Sequence, residues 1–340
     1  MKAITALDRD AGVSGLTLTD LPYPHAAEND VIVRVHAAGF TRGELDWPGT
    51  WSDRAGRDRT PSVPGHEVSG VVAELGYGTT GLTVGQRVFG LTDWARNGSL
   101  AEYVAVEARN LAPLPADVDC TVAAALPISG LTAWQGLFDH ARIMTGQSAL
   151  IHGAAGGVGS LAVQLALEAG ARVIGTGRSA DRETVLALGA HTFLDLEASR
   201  LEDVGEVDVV FDVIGSDILD RSTARPLDRS TARPLDRSTA RPLDRSAALV
   251  RAGGTLVTIA QPPTVRPEDG RAIFFVVEPD RARLADLAQR LRDGRLDVRV
   301  GAVHPLTEAA AAFAPERRVT GRTIIRVTED PQRSQSVATP

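Results

Sequence analysis

The segment that most constrains the fold is a short apolar run, a glycine-rich turn and a helical pattern, in that order. Residues 149–152 read ALIH, residues 153–159 read GAAGGVG, and residues 158–169 have helical spacing. Glycines let a backbone approach a phosphate closely, and the helix that follows offers unpaired N–H groups and a positive dipole end. The alternative is a glycine-rich turn without a ligand. Because the order strand, turn, helix, strand is the context that nucleotide binding requires, we expect the pyrophosphate of a dinucleotide here.

The end of the next strand, Arg172–Thr176, indicates which dinucleotide the turn would bind. A free ribose 2′-hydroxyl usually meets an Asp or Glu there. This chain has Gly177–Ser179 (GRS) and no carboxylate before Asp181. The Arg178 guanidinium can bind a 2′-phosphate through two parallel hydrogen bonds, and Arg182 is a second candidate. Unless both arginines are simply solvated surface residues, the pattern favours NADPH.

The chain contains two regions with different sequence patterns. Before about residue 122, short strand-like runs such as 31–36 (VIVRVH) and 68–73 (VSGVVA) are separated by Gly and Pro, whereas from about residue 123 helices alternate with apolar strands. The sequence therefore predicts an α/β protein, with a Rossmann doubly wound parallel sheet and a separate β-rich domain. We expect the β-rich domain over 1–122 and 297–330, and the dinucleotide-binding domain over 123–296.

A tandem repeat interrupts the second half of the chain. LDRSTARP occurs three times over residues 219–242, and a partial copy, LDRS, follows at 243–246. A proline every eight residues stops a continuous helix, and the repeat has no apolar face with which to build a core. We expect this insertion to be exposed, either as a tolerated duplication or as a partner-binding arm.

Composition excludes several classes of protein. The formal net charge is −7, and Lys2 is the only lysine, which argues against a nucleic-acid partner and against a lysine-rich membrane tract. The single cysteine, Cys120, excludes a disulfide within the chain and suits a reducing compartment. The first residues contain no apolar run typical of a signal peptide. The sequence therefore predicts a cytoplasmic protein that acts on neither nucleic acids nor membranes.

An ordered series of short motifs runs along the chain outside the repeat. The series comprises PGHEVSGVV at 64–72, GQRVFG at 85–90, GSLAEYV at 98–104, AAALP at 123–127, GLTAW at 130–134, the turn at 153–159, LGA at 188–190, FDVIG at 211–215, GGTLV at 253–257 and GRTII at 321–325. In this order the motifs resemble the medium-chain dehydrogenase/reductase superfamily, and specifically its zinc-independent quinone-oxidoreductase-like branch.

The resemblance implies a GroES-like substrate domain built from both chain ends around the Rossmann domain, NADPH in the cleft between them, and often a homodimer. It also implies a set of residues that line the coenzyme: Thr132, Ala155, Gly156, Gly157, Val158, Arg178, Ser179, Val213, Ile214, Ile259 and Arg322. The chain departs from the branch at Thr41, where Asn is usual, and at Leu196, where an aromatic residue often lies near the adenosine. The branch's site tyrosine is also missing from residues 44–49, which read ELDWPG.

His66 and Glu67 also match the Gly-His-Glu signature of zinc alcohol dehydrogenases in this superfamily, so the ligand set decides whether zinc is expected. Catalytic zinc needs three protein ligands, which those relatives draw from two cysteines and this histidine. No cysteine lies near Thr41, and Cys120 comes several residues before the second ligand position. We therefore expect no metal, and His66 either orders a loop or contacts substrate.

Without a metal to polarise a simple carbonyl, an electron-poor acceptor is the better substrate. We expect hydride transfer from NADPH to a quinone or to the β-carbon of an α,β-unsaturated carbonyl, with Thr41, Asp46, Trp47 and His66 as substrate-site candidates and Trp51 as a further apolar wall. The sequence identifies no proton donor, although Arg42 and Glu44 lie in the same loop. Two alternatives stay open: an enoyl reductase for a thioester- or carrier-linked intermediate, and a non-catalytic NADPH-binding interaction protein.

Overall fold

The computed structural model of the chain describes residues 1–215, 246–263, 265–314 and 319–329. The repeat at 219–242, and with it the expectation that the insertion is exposed, lies outside the described residues. The chain divides into two compact units, residues 1–131 with 279–340 and residues 132–278. The domain boundaries expected from the sequence, at 122/123 and 296/297, stay predictions.

Fifteen strands are present in the described residues. In chain order they are β1 Lys2–Ala6, β2 Leu16–Asp20, β3 Asp30–Gly39, β4 Glu67–Leu75, β5 Arg87–Leu91, β6 Tyr103–Glu107, β7 Leu111–Pro113, β8 Ser148–His152, β9 Arg172–Gly177, β10 Thr192–Asp195, β11 Val207–Asp212, β12 Val250–Thr258, β13 Arg271–Phe274, β14 Val300–Pro305 and β15 Arg322–Arg326.

The same ranges contain seven helices with described side chains, which we number α1 Pro48–Trp51, α2 Cys120–Ala124, α3 Pro127–Trp134, α4 Gly157–Glu168, α5 Arg182–Ala187, α6 Arg281–Arg292 and α7 Ala309–Phe313. The two longest, α4 and α6, have 12 residues each. Within the described part of the chain, no helix has the length and apolar character that crossing a bilayer requires.

The unit of residues 132–278 is built on a six-stranded sheet with the order β10-β9-β8-β11-β12-β13. Every neighbouring pair in it is parallel. The first strand in chain order lies inside the sheet and later strands extend outward in both directions, which is the Rossmann arrangement. All six residues of β11 are buried, as expected for a strand covered on both faces of a parallel sheet. The predicted doubly wound sheet is confirmed.

The other unit is built mainly on antiparallel strands. Its seven-stranded sheet has the order β14-β15-β3-β4-β5-β7, with β6 also paired to β3, and β1 pairs with β2 in a separate two-stranded sheet. The strand that closes the chain, β15, pairs antiparallel with β3, so residues near both ends of the chain share this sheet. The predicted β-rich domain is confirmed as a separate sheet.

We expect Leu150 to be important for the stability of the parallel sheet. Its side chain is fully buried in β8 and packs with Ile174, Val210 and Leu256. The change Leu150→Ala removes buried methyl groups and leaves a cavity, which should lower the free energy of unfolding by about 3 kcal/mol. Thermal denaturation should show a fall in Tm of several degrees. Leu186→Ala, at a position that is 41% exposed, is the control and should leave Tm close to the wild-type value; equal Tm values for the two variants would contradict the assignment.

Candidate functional site

The parallel sheet places most of the predicted coenzyme residues along one edge. The turn after β8, the end of β9, the residues after β11 and the residue after β12 all lie at carboxyl ends of neighbouring parallel strands. Ligands of open α/β sheets bind at this edge. The residues brought to it are Ala155, Gly156, Gly157, Val158, Gly177, Arg178, Ser179, Val213, Ile214 and Ile259.

The glycines of the turn after β8 are required by close packing. Gly153 has φ +67°, and a Cβ there would lie 2.4 Å from Cδ1 of Ile214. A Cβ on Gly159 would lie 2.1 Å from the carbonyl oxygen of Gly153. No larger residue fits at either position without a backbone shift. The turn is therefore held tightly between α4 and the end of β11.

The N-terminus of α4 is open to a ligand. Gly156 is the N-cap and provides no side-chain cap, and the first turn of the helix carries no acidic residue. The N–H groups of that first turn have no partner within the helix. Unpaired N–H groups and the positive dipole end favour an anion. The residues present thus fit the pyrophosphate of a dinucleotide.

The end of β9 combines cations with a carboxylate that the sequence did not indicate. Arg178 is half-buried, and among the described residues its guanidinium has no ion-pair partner. The Arg182 guanidinium lies 5.7 Å from the centroid of the Phe193 ring. The Ser179 hydroxyl donates a hydrogen bond to Asp195 on β10, which is opposite Gly177 in the register. Asp195 is distant from Arg178 in the sequence. Only the pairing of β10 with β9 shows that its carboxylate lies near the end of β9.

Buried polar groups hold the neighbouring strand ends in place. The His152 ring lies between two hydroxyls, with Nδ1 2.9 Å from Oγ1 of Thr176 and Nε2 3.0 Å from Oγ of Ser246. Burial lowers the pKa of His152, so the ring is neutral and each nitrogen takes one bond. Asp212 accepts hydrogen bonds from the N–H groups of Ile214 and Gly215 at 3.0 and 3.1 Å. These contacts are structural, and they shape the edge where a coenzyme would bind.

The two remaining coenzyme candidates lie elsewhere. Thr132 is buried in α3, and Arg322 is the first residue of β15, in the β-rich unit. Arg322 forms an ion pair with Glu67, which is fully buried. Burial lowers the pKa of Arg322 to about 10, and the nearby Glu44 carboxyl opposes that shift. The guanidinium therefore stays charged at neutral pH.

Glu44 is the second carboxyl near that guanidinium. It is fully buried, and it accepts hydrogen bonds from the Gly65 N–H at 2.8 Å and the Thr41 N–H at 3.4 Å. Burial raises the pKa of Glu44 to about 8, while these hydrogen bonds and the Arg322 charge oppose the rise. Because the single guanidinium is already paired with Glu67, Glu44 is a neutral acid at pH 7.

Two of the four substrate-site candidates come together in the β-rich unit. The rings of Trp47 and His66 are stacked with centroids 5.9 Å apart. A third ring, Trp94, lies 5.3 Å from Trp47 and 5.1 Å from His66, edge-on to both. We call Trp47, His66 and Trp94 the imidazole–indole cluster. No sequence motif marks Trp94, and only the path of the chain after β5 brings it to the other two rings.

The other members of that loop have different positions. Asp46 is exposed, and Thr41 donates its N–H to the Glu44 carboxyl at 3.4 Å. Trp51 was expected as a second apolar wall, and this is wrong. Its side chain is only 8% exposed, and its indole N–H donates to the Leu45 carbonyl at 2.7 Å, so it belongs to the core.

His66 is held by one strong contact. Its Nδ1 lies 2.8 Å from Oγ1 of Thr92, and the ring is 1% exposed. Burial, followed by the Arg59 charge, lowers the pKa of His66 to about 3, so the imidazole is neutral.

Cys120 contacts His36, with Sγ 3.9 Å from Nδ1. Over residues 1–215, 246–263, 265–314 and 319–329, no three His, Cys, Asp or Glu side chains form a group suited to a metal ion.

Two family models match the chain, one in each type of domain. Residues 27–116 match the alcohol dehydrogenase GroES-like domain, and residues 157–224 match the zinc-binding dehydrogenase family. Among solved structures, the quinone oxidoreductase from Coxiella burnetii is similar over 96% of this chain and 99% of its own, with a TM-score of 0.81 and 25% identity. The described residues therefore have a fold similar to that of this quinone oxidoreductase.

Curated relatives share only part of their length with the chain. The NADPH-dependent alkenal/one oxidoreductase from Arabidopsis thaliana chloroplasts is 35% identical over 60% of this chain and 55% of its own length. The spectinabilin polyketide synthase system protein NorB from Streptomyces orinoci is 38% identical over 63% of this chain and 10% of its own. The chain thus spans about half, or much less, of the length of these relatives.

The raised pKa of Glu44 predicts a specific dependence of stability on pH. Between the unfolded pKa, about 4.3, and the folded pKa, about 8, the folded protein binds a proton that the unfolded chain has released. Stability should therefore fall as pH rises through this window. Glu44→Gln keeps an oxygen to accept from Gly65 but does not titrate, so its Tm should fall less than that of the wild type. Thermal denaturation in a buffer series measures both slopes; identical slopes would show that Glu44 is ionised in the folded protein.

Proposed function

Because the chain belongs to the medium-chain dehydrogenase/reductase superfamily, we propose that it is an NADPH-dependent, zinc-independent oxidoreductase that delivers hydride to a quinone or an α,β-unsaturated carbonyl. The observation that carries this proposal is the open N-terminus of α4 beside Arg178, on the same edge of the parallel sheet. Relatives named as a quinone oxidoreductase and an NADPH-dependent alkenal/one oxidoreductase support the same chemistry.

Different residues of the chain would bind different parts of the coenzyme. Gly157 and Val158 would donate backbone N–H groups to the pyrophosphate, while Gly156, whose N–H donates to the Gly153 carbonyl at 2.9 Å, and Ala155 would leave room for it. Arg178, with Gly177, Ser179 and Arg182, would hold the 2′-phosphate. Thr132, Val213, Ile214, Ile259 and Arg322 complete the proposed set. The bound coenzyme supplies the hydride, and the protein contributes binding and orientation.

Asp195 opposes the preference for NADPH. Its carboxylate accepts the Ser179 hydroxyl, so it lies beside the proposed 2′-phosphate position, where its negative charge is unfavourable. A carboxylate in such a place can instead accept a ribose hydroxyl, which favours NADH. Asp181 is a second carboxylate at this place, because it accepts the Arg178 N–H at 3.1 Å, so net charge does not decide between the coenzymes. A guanidinium matches a phosphate through two parallel hydrogen bonds, and we therefore keep NADPH as the proposed coenzyme.

Zinc independence follows from the ligand set. Of the three zinc ligands expected in those relatives, this chain keeps only His66, and the Nδ1 of His66 lies 2.8 Å from Oγ1 of Thr92. Catalytic zinc needs three protein ligands in these enzymes, and one imidazole does not supply them. Polarisation of the substrate must then come from protein groups, which suits acceptors that are already electron-poor.

A second candidate is enoyl reduction of a carrier- or thioester-linked intermediate. The 38% identity to a polyketide synthase protein favours it, because such systems build chains on carriers.

A third candidate is a non-catalytic NADPH-binding interaction protein that uses the arginine-rich repeat. It requires coenzyme binding without turnover, whereas both enzymatic candidates require turnover.

We also propose a homodimer in the cytoplasm. Among the strands that the structure describes, β13 lies at the edge of the parallel sheet, and the exposed apolar residues Phe274 and Val276 lie at its end and just beyond it. A sheet edge with unpaired backbone groups and apolar side chains is suited to pairing with a second copy. No nucleic acid or membrane is proposed as a partner, in keeping with the net charge of −7.

The proposed function predicts NADPH oxidation in the presence of an electron-poor acceptor. Purified protein should oxidise NADPH, followed by its absorbance, with a panel of quinones, acyclic enones and enoyl thioesters. NADH is run in parallel and should be used at least about tenfold less efficiently, because a charged phosphate contact is worth about 1.5 kcal/mol or more. Comparable rates with NADH would contradict the role of Arg178. Turnover only with enoyl thioesters would favour the second candidate.

Arg178 and Asp195 should affect NADPH binding in opposite directions. Arg178→Ala removes a phosphate contact and should weaken NADPH binding about 10- to 100-fold with little change for NADH. Asp195→Asn removes a repelling charge next to Ser179 and should strengthen NADPH binding severalfold. Titration of coenzyme fluorescence gives both dissociation constants. If Arg178→Ala weakens both coenzymes equally, the residue does not bind the 2′-phosphate.

Excision of the repeat separates the enzymatic candidates from the interaction protein. Deletion of residues 219–242 joins Ile218 to Leu243 and leaves one copy of LDRS. An enzyme should keep nearly all of its kcat/KM, because the repeat contributes no residue to the proposed site. The control is Leu150→Ala, which disturbs the sheet itself. Loss of partner capture with unchanged coenzyme binding would instead support the interaction protein.

A further inference from the structure

The β-rich unit contains a surface cavity of about 560 Å³ whose lining includes none of the proposed coenzyme or substrate residues. One wall carries Tyr23 and Tyr103, whose ring centroids are 4.9 Å apart with planes at 58°. The buried apolar residues Val63 and Ala101 also line it. With Arg59, these four residues define what we call the tyrosine–arginine cavity. Its volume lies in the range of sites that bind small molecules.

The cavity is basic although the chain as a whole is acidic. Arg59, Arg96 and His25 line it, and none of its described lining residues is Asp or Glu, whereas the net charge of the chain is −7. Arg96 is compensated from outside the cavity, because its guanidinium donates to the two carboxylate oxygens of buried Asp30 at 3.0 and 2.5 Å. Arg59 is the guanidinium whose charge remains.

Over the described part of the chain, Arg59 forms no ion pair. The carboxylates of Asp93 and Asp53 are near enough to affect it, but they pair with Arg54 and Arg57, each at 2.7 Å. Burial lowers the pKa of Arg59, and the two carboxylates oppose that shift. A half-buried cation without a paired anion is unfavourable, so an anion that binds beside it recovers part of the desolvation cost.

The Arg59 guanidinium is fixed in position by few of its N–H groups. One Nη donates to the Gly49 carbonyl, and the other lies 3.4 Å from Oδ1 of Asn97, which is long for a hydrogen bond. A guanidinium has five N–H groups, so donors remain for a ligand. The same Oδ1 accepts the Val63 N–H at 3.1 Å, and the Val63 carbonyl accepts the Gly98 N–H at 2.7 Å. These bonds hold the wall of the cavity in place before a ligand binds, which lowers the entropic cost of binding.

We propose that the tyrosine–arginine cavity binds a small aromatic carboxylate, with the carboxylate on the Arg59 guanidinium and the ring against Tyr23 and Tyr103. An arginine binds a carboxylate through two parallel hydrogen bonds, and tilted contacts between rings are favourable. One uncompensated guanidinium matches the single negative charge of a carboxylate better than the double charge of a phosphate monoester. This binding site is additional to the proposed coenzyme and substrate sites.

Isothermal titration calorimetry of the full chain with 2-naphthoate tests the site. A saturable heat is expected at ligand concentrations up to about 1 mM. 2-Naphthamide has the same rings without the charge and should bind at least about tenfold more weakly. Absence of saturable heat with 2-naphthoate, or equal affinities for the acid and the amide, would overturn the proposal.

Substitution of Arg59 tests the contact with the carboxylate. Arg59→Gln should weaken 2-naphthoate binding about 10- to 100-fold, and Arg59→Lys, which keeps the charge without the planar fork, should recover part of that loss. Arg9→Gln changes an exposed arginine of the same unit outside the cavity and should leave the affinity unchanged. An equal loss in Arg9→Gln and Arg59→Gln would show that only the overall charge matters.

Tyr23→Leu tests the contact with the ring and does not depend on Arg59. Tyr23 is 41% exposed, so its replacement should leave Tm unchanged even if Arg59→Gln lowers it. Binding of 2-naphthoate should weaken about three- to tenfold, while that of cyclohexanecarboxylate, which has no aromatic ring, should change less than about twofold. Tyr77→Ala, at a site 86% exposed, is the control. Equal losses for the two carboxylates in Tyr23→Leu would contradict the aromatic contact.

The proposed coenzyme site also contains arginine, so the experiment must separate the two places. The affinity for 2-naphthoate should be the same in Arg178→Ala as in the wild type, and the same with and without saturating NADPH. Loss of binding in Arg178→Ala, or competition between 2-naphthoate and NADPH, would overturn the assignment to the cavity. The Arg178→Ala measurement needs no coenzyme, so its outcome is independent of the proposed oxidoreductase function.

Discussion

The structure of the unit of residues 132–278 depends on how closely the turn after β8 packs against α4 and the residues after β11. A side chain at Gly153 would collide with Ile214, and one at Gly159 would collide with the Gly153 carbonyl. Because both positions are glycine, α4 begins directly at the carboxyl edge of the sheet and points its N-terminus along it. The positions of Arg178, Val213 and Ile259 relative to this turn then follow from the parallel pairing of β9, β11 and β12 with the strands beside them.

In the β-rich unit, interactions among buried charged groups have the corresponding structural role. One guanidinium, that of Arg322, faces two fully buried carboxyls. Pairing with Glu67 compensates its charge, and Glu44 is left as a neutral acid that caps the N–H of Gly65. Glu44 thereby supports the backbone next to His66, which is itself buried. Removal of either partner of the ion pair would leave an uncompensated buried charge.

Sequence periodicity predicted the regular elements well where the pattern was long or strongly apolar. The helical pattern over 158–169 is α4, and the strand-like runs 31–36 and 68–73 lie within β3 and β4. The short strand β10 was missed, since TFLD is only four residues long and has no clear alternation. This omission had a consequence for the site, because Asp195 reaches Ser179 only through β10.

The common edge of most proposed coenzyme residues could be predicted from sequence, because these residues follow strands of one parallel sheet. The substrate residues could not, because loops in the β-rich unit meet through tertiary packing that no spacing encodes. Packing of this kind brings Trp94 to Trp47 and His66 and buries Trp51.

The central claim is that the turn after His152 binds the pyrophosphate of a dinucleotide and that Arg178 binds the phosphate on its ribose. Isothermal titration calorimetry on the full chain tests it most directly, because heat of binding needs neither a substrate nor turnover. The account predicts a saturable heat with NADPH and a markedly weaker one with NADH. Absence of heat with both reduced coenzymes would contradict it.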